Sequence, residues 1–276
     1  MMRSLWTAAS GMRAQQVNVD TIANNVANIN TIGYKSQQAS FKSLLYQNLQ
    51  STSTNNAGEN KPVAAEVGLG SRVAAITSTF TQGNLTHVEN PFSVALEGDG
   101  FFQIRTESGE LQYTRDGSFE ISPVANGNML CTSDGNPVLD AYGNQIILPS
   151  NRVATDLVAN QDGTLAFPDG TGNPAVITDA NGRPVKFGIY QFNNPAGLSK
   201  EGSNNYSVTV ASGAAVAENG NAAVKQTKTH QYYTEASNVD VANEMVNLIV
   251  AQRAYEMNSK AIQASDEMMQ QANALR

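Results

Sequence analysis

Two terminal stretches, SLWTAASGMRAQQVNVDTIANNVANIN at residues 4–30 and VDVANEMVNLIVAQRAYEMNSKAIQASDEMMQQANA at 239–274, carry matching apolar repeats. In the first, Leu5, Met12, Val19 and Val26 recur every seven residues, with Ala8, Ile22 and Ile29 three positions on. In the second, Val241, Leu248, Tyr255, Ile262 and Met269 keep the same interval, joined by Met245 and flanked by Ala251, Ala254 and Ala261. A seven-residue apolar repeat paints one narrow seam on a helix, and such a seam has no core of its own. It needs a partner helix, within the molecule or on a neighbour. Gln15, Gln252, Ser259 and Asn273 stand where a self-sufficient coiled coil would carry leucine. Buried amides of this kind gain from being surrounded by several helices, where they find partners. The ends therefore read as assembly elements, the plainer alternative being a two-helix lid on the middle of the chain.

That middle is punctuated for β-structure. Gly100, Gly109, Gly117, Gly127, Gly135 and Gly143 follow at short intervals, several behind Asp or Asn, as tight hairpins require. Between them lie FFQIRT (101–106), LQYTRD (111–116) and NQIILP (144–149). The fold class expected is α+β, with long N- and C-terminal helices packed as a coiled-coil-like pair and a mainly antiparallel β middle domain. The first helix is expected from about Ser4 to a left-handed stop at Gly33, and the last from a capping pair, Ser237 with Asp240. The polar run QSTSTNNAGENKP (50–62) reads as an extended connection, following a shorter amphipathic piece, FKSLLYQNL (41–49).

Charge is sparse and the isoelectric point about 4.9, which disfavours a nucleic-acid partner, since phosphate contacts need clustered Lys and Arg. Acidic residues outnumber basic ones by eight between residues 81 and 225, so the acidity lies in the middle. Cys131 is the single cysteine and forms no internal disulfide. Neither a membrane-spanning run nor the apolar core of a cleaved signal peptide is legible, so a chain leaving the cytoplasm would use another route.

Catalytic chemistry finds little support. His87 and His230 have neither metal-pair nor nucleophile–base spacing. Asp134, Asn136 and Asp140 approximate a calcium loop at the wrong spacing and fit hairpin turns better. No catalytic, cofactor-binding or metal-binding residue is assigned, although the paired carboxylates of a glycan hydrolase are set by space and not by sequence. Asn24 and Asn28, one helical turn apart, are candidates for amide bonds between helices, against the plainer reading of a solvated helix end.

SLWTAASGM (4–12) with NVDTIANNVANINTIGYK (18–35), LEGDGFF (96–102) with YTRDGSF (113–119), and SNVDVANEMVNLIVAQRAYEMNSKAI (237–262) together resemble the bacterial flagellar rod and hook proteins. The opening SLW and the residues after LLYQ are more similar to distal-rod members than to proximal-rod or hook members. The resemblance implies a non-enzymatic subunit of the basal-body rod that assembles helically with itself and transmits motor torque to the hook for motility. It implies proximal-rod and hook proteins, surrounding periplasmic and outer-membrane ring proteins and the flagellar type III export apparatus as partners, with no cofactor. It also implies three layers, carried onto this chain as 1–33 with 237–276 innermost, 34–80 (with a rod-specific insertion) and 226–236 connecting, and 81–225 outermost. On that picture Leu5, Met12, Val19, Ile22, Val26, Ile29, Val241, Met245, Leu248, Tyr255, Ile262 and Met269 form the self-assembly seam. The competing readings are a proximal-rod or hook subunit and, from another class, a secreted cell-wall glycan hydrolase with helical lids.

Overall fold

A computed structural model describes residues 2–50, 65–125, 127–150, 152–169, 173–179, 182–221 and 224–274. Two helices, α1 (Met2–Ala27) and α2 (Val241–Ala274), lie in contact, and the remaining regular structure is antiparallel sheet, so the α+β expectation holds. By contacts the chain divides into two units, residues 1–27, 37–78 and 240–276 in one, and 28–36 with 79–239 in the other.

The helical unit joins both helices to two hairpins. β1 (Gln37–Ser43) pairs with β4 (Ser71–Ser78) from Gln37↔Ser78 to Ser43↔Ser71, and β2 (Tyr46–Gln50) pairs with β3 (Ala65–Gly68). The amphipathic piece at 41–49 is thus strand, while most of the polar run at 50–62 lies outside the described residues. α1 ends at Ala27, six residues short of the expected stop. Asparagines at 24, 25, 28 and 30 compete with the helix for backbone hydrogen bonds, and the chain turns, Thr31 N–H bonding Asn28 O at 3.2 Å. Gly33 does take the left-handed φ of +70°, but within the β-unit, where its N–H donates to Glu235 O at 2.8 Å. α2 begins one residue after Asp240, whose Oδ1 accepts the Ala242 and Asn243 amides at 2.9 and 3.4 Å. Asp240 is therefore the N-cap, and Ser237 Oγ only accepts the Val239 N–H.

The β-unit opens with β5 (Leu85–His87) and β6 (Val94–Glu97) and is organised around β7 (Phe101–Arg105), central in a six-stranded sheet. It pairs with β8 (Leu111–Thr114) on one side and with Ile189–Gln191 on the other. β7 is covered on both faces, so Phe101, Phe102 and Ile104 are buried without alternation, and Gln103 is buried among them. Phe102 and Ile104 join a core with Val94, Leu96, Phe119, Leu130 and Leu148, while Phe101 packs with Tyr113, Phe192, Leu198 and Tyr206. Burying one such side chain stabilises by about 1.5–3 kcal/mol. Gly109, Gly135 and Gly143 make the expected hairpin turns at positive φ. Gly117 serves differently: a Cβ there would overlap the carbonyl oxygen of Val94, so the YTRDGSF glycine permits close backbone approach.

The second core contains a pH-sensitive phenol. Burial pushes Tyr206 from 10.0 up to about 12. Below the unfolded value both states hold the proton and the stabilisation is complete. Between the two values the unfolded chain ionises first, so stability falls as pH rises. By pH of about 12 the loss is on the order of 2–3 kcal/mol. Urea unfolding across this range should show that decline, and Tyr206→Phe should flatten it relative to the unsubstituted chain.

Candidate assembly interface

The helix pair is antiparallel and its closest contacts are small or polar. Ser4 Oγ lies 3.2 Å from Ser265 Oγ, and a Cβ on Gly11 would stand 3.0 Å from Asn258 Nδ2. Asn25 Nδ2 donates to Glu244 Oε1 at 3.0 Å. Each step of seven along α1 is matched by a step of seven back along α2, which sets Asn18 opposite the buried Ala251. The large apolar residues lie beside this row. Ile22 is buried; Leu5, Met12, Val19 and Val26 on α1, and Leu248, Ile262 and Met269 on α2, are half-buried. Ile29 is half-buried too, in the β-unit beyond the end of α1. Val241, Met245 and Tyr255 are exposed, together with Val246, Ile249, Val250 (62%), Met257 (68%) and Met268. On α1, Trp6 is 75% exposed. It borders a groove of about 440 Å³ floored by Ala9, Ala14, Val17, Leu44 and Val73.

Of the two amides singled out in the sequence, Asn24 is exposed, and Asn28 Oδ1 accepts the Thr31 hydroxyl at 3.1 Å within the β-unit. Their neighbour Asn25, 1% exposed, joins the two helices within the chain through Glu244. Its signal in the sequence is the heptad row Ser4, Gly11, Asn18, Asn25, which an apolar pattern does not mark because none of its members is a large apolar residue.

In the β-unit, stretches that carry the family resemblance converge on one buried charge cluster. Lys35 Nζ lies 2.6 Å from Glu235 Oε1 and donates to Thr81 O at 2.8 Å. Arg115 Nη1 is 3.4 Å from Glu235 Oε2, and the guanidinium sits 5.0 Å from the centre of the Phe101 ring. The Gly83 amide also donates to Glu235 Oε1. All three ionic side chains are nearly inaccessible. Burial holds both Lys35 and Arg115 below their ordinary values, and the Glu235 charge opposes that shift. Next to it, Asn238 accepts the Ser36 amide at 2.7 Å and donates to Thr79 O at 2.8 Å. The N-terminal NINTIGYK, the β7–β8 motifs and the stretch before α2 are thus tied through side chains far apart in sequence. Lys35 and Arg115 lie in separate motifs, and only Glu235 brings the two cations into one cluster.

The two histidines and Asp140 make local structural contacts. His230 Nε2 meets Glu97 Oε2 at 2.7 Å, and both histidines pack against Tyr233. Asp140 Oδ1 accepts the Tyr142 and Asn144 amides, each at 2.8 Å, as a turn residue does. Among the described residues no cluster of His, Cys, Asp or Glu has the arrangement of a metal site.

Helical ends with exposed apolar stripes, and a β-domain whose named polar groups are engaged in hydrogen bonds and ion pairs, fit a structural protein. Family comparisons agree along the chain. Residues 5–35 match the flagella basal body rod protein model, 95–167 the flagellar hook protein FlgE/F/G D1 domain, and 230–275 the flagellar basal body rod FlgEFG protein C-terminal model. The flagellar basal-body rod protein FlgG of Borreliella burgdorferi is 43% identical over 100% of this chain and 99% of its own length. Those of Agrobacterium fabrum (41%, 97% of each chain) and Caulobacter vibrioides (38%, 100% of each chain) are similar throughout. The chain belongs to the flagellar basal-body rod protein family. It is a non-enzymatic structural subunit of the distal rod of the flagellar basal body, as its FlgG relatives indicate.

Proposed function

We propose that this chain assembles helically with copies of itself through the exposed apolar stripes of α1 and α2, and that the resulting shaft carries motor torque to the hook. The observation that carries the reading is the row of large side chains left in solvent on α2, Val246, Ile249, Val250 and Met257, with Trp6 on α1. Apolar surface of that extent on a long helix is stabilised when neighbours cover it. The twelve seam residues named from the sequence, and the layering of 1–33 with 237–276 inside, 34–80 with 226–236 between and 81–225 outside, belong to this proposal. So do proximal-rod and hook proteins as axial neighbours, ring proteins around the acidic middle, and passage through the flagellar type III export apparatus.

A pair of helices held by serine, glycine and asparagine buries little apolar area, so the free subunit should open there first. Trypsin is expected to cut purified monomer rapidly at Arg13, Arg253 and Lys260, and to cut assembled rods there much more slowly. Equal rates in monomer and rod would mean that assembly covers other surfaces.

A further inference from the structure

The apolar row of α2 is nearly blind to register. Because Val241, Leu248, Tyr255, Ile262 and Met269 repeat every seven residues, sliding α2 one heptad against α1 exchanges one apolar residue for another. Small residues also remain opposite small or polar ones: Ser4 would meet Asn258, Gly11 would meet Ala251, and Asn18 would take the place of Asn25 opposite Glu244. Even the amide–carboxylate bond would be remade.

What the slipped arrangement loses is a conjunction of bonds at Asn25. Its Oδ1 accepts the Gln37 N–H at 2.9 Å, and its Nδ2 donates to Gln37 O at 2.8 Å. The amide thus holds the backbone of the first residue of β1 from both sides while the same Nδ2 also reaches Glu244. Gln37 opens the β1–β4 pairing, opposite Ser78. The first pair of bonds fixes α1 against the hairpin, and the third fixes α2 against α1. Only in the observed register are all three made by one side chain.

We propose that Asn25 is the positioning residue that sets the register of α1 against α2. A single buried Asn in an otherwise permissive seam specifies register at some cost in stability. The role is independent of which rod segment the subunit builds, and the assembled rod serves only as the sample in which it is read.

The test uses paired cysteines in rods isolated from cells, with oxidative cross-links identified by peptide mass and separated from intersubunit products by size. Ser4→Cys with Ser265→Cys reports the observed register, since these hydroxyls are 3.2 Å apart; Ser4→Cys with Asn258→Cys reports the slipped one. With Asn25 present, only the 4–265 link is expected. Asn25→Ala should raise the ratio of 4–258 to 4–265 product at least tenfold. Glu244→Ala, which leaves the Gln37 bonds in place, should do the same, and Glu244→Gln, which keeps an acceptor, should restore the 4–265 link alone. If Asn25→Ala yields no rods, the Glu244 pair decides; if that also yields none, the same links are read in the purified chain. Exclusive 4–265 linking in the alanine variants would overturn the proposal, as would absence of that link with Asn25 intact.

Discussion

Glu235→Gln is expected to destabilise the β-unit by about 3–5 kcal/mol, the usual cost of breaking a buried ion pair by removing one partner. The substitution preserves volume and shape but leaves Lys35 and Arg115 buried without their shared carboxylate. A charge is far more costly to bury unpaired than a neutral group. Urea unfolding of the full chain, followed by near-ultraviolet circular dichroism of the tyrosines around Phe101, measures this directly. Lys35→Met should lose less, since it removes a cation and its desolvation together, while Arg115 still balances Glu235. Equal losses from the two substitutions would show that the cluster acts by packing alone.

Leu248→Asp is expected to abolish swimming while the isolated β-unit signal remains unchanged. Leu248 is half-buried in the helix pair and one residue from the exposed Ile249, so an aspartate there brings an unpaired charge to the intrachain contact and to the surface proposed to meet neighbours. The penalty is on the order of several kcal/mol per subunit, and in a helical polymer every subunit bears it. Motility in soft agar together with near-ultraviolet circular dichroism of the purified variant separates failed assembly from failed folding. Swimming cells would place the assembly contacts elsewhere.

The division between what sequence revealed and what it hid follows from the physics of each element. The long helices were legible because a heptad repeat has a period no strand shares, and the hairpins because Asp-Gly and Asn-Gly pairs announce positive φ. The end of α1 was not: Gly33 carries the dihedral of a helix stop, but hydrogen bonds to the β-unit determine where residues 28–36 go. Gly117 carries a turn signature yet stands where two backbones nearly touch. The apolar repeat includes Val241, Met245 and Tyr255, which are exposed in the single subunit, whereas Ser4, Gly11 and Asn25, which make contacts between its helices, carry no apolar signal. Hydrophobicity finds surfaces that want a partner; it does not say whether that partner is the same chain or the next one. The Lys35–Glu235–Arg115 cluster was invisible for another reason, because ionic partners 200 and 120 residues apart meet only through tertiary pairing.

Self-assembly of this structural subunit is proposed to build the distal rod. Electron cryotomography of basal bodies from cells lacking it tests that most directly. Such cells are expected to hold structures that stop at the proximal rod, with no distal shaft and no hook, and that are completed when the intact chain is restored. Basal bodies carrying a full-length rod and hook in its absence would contradict it.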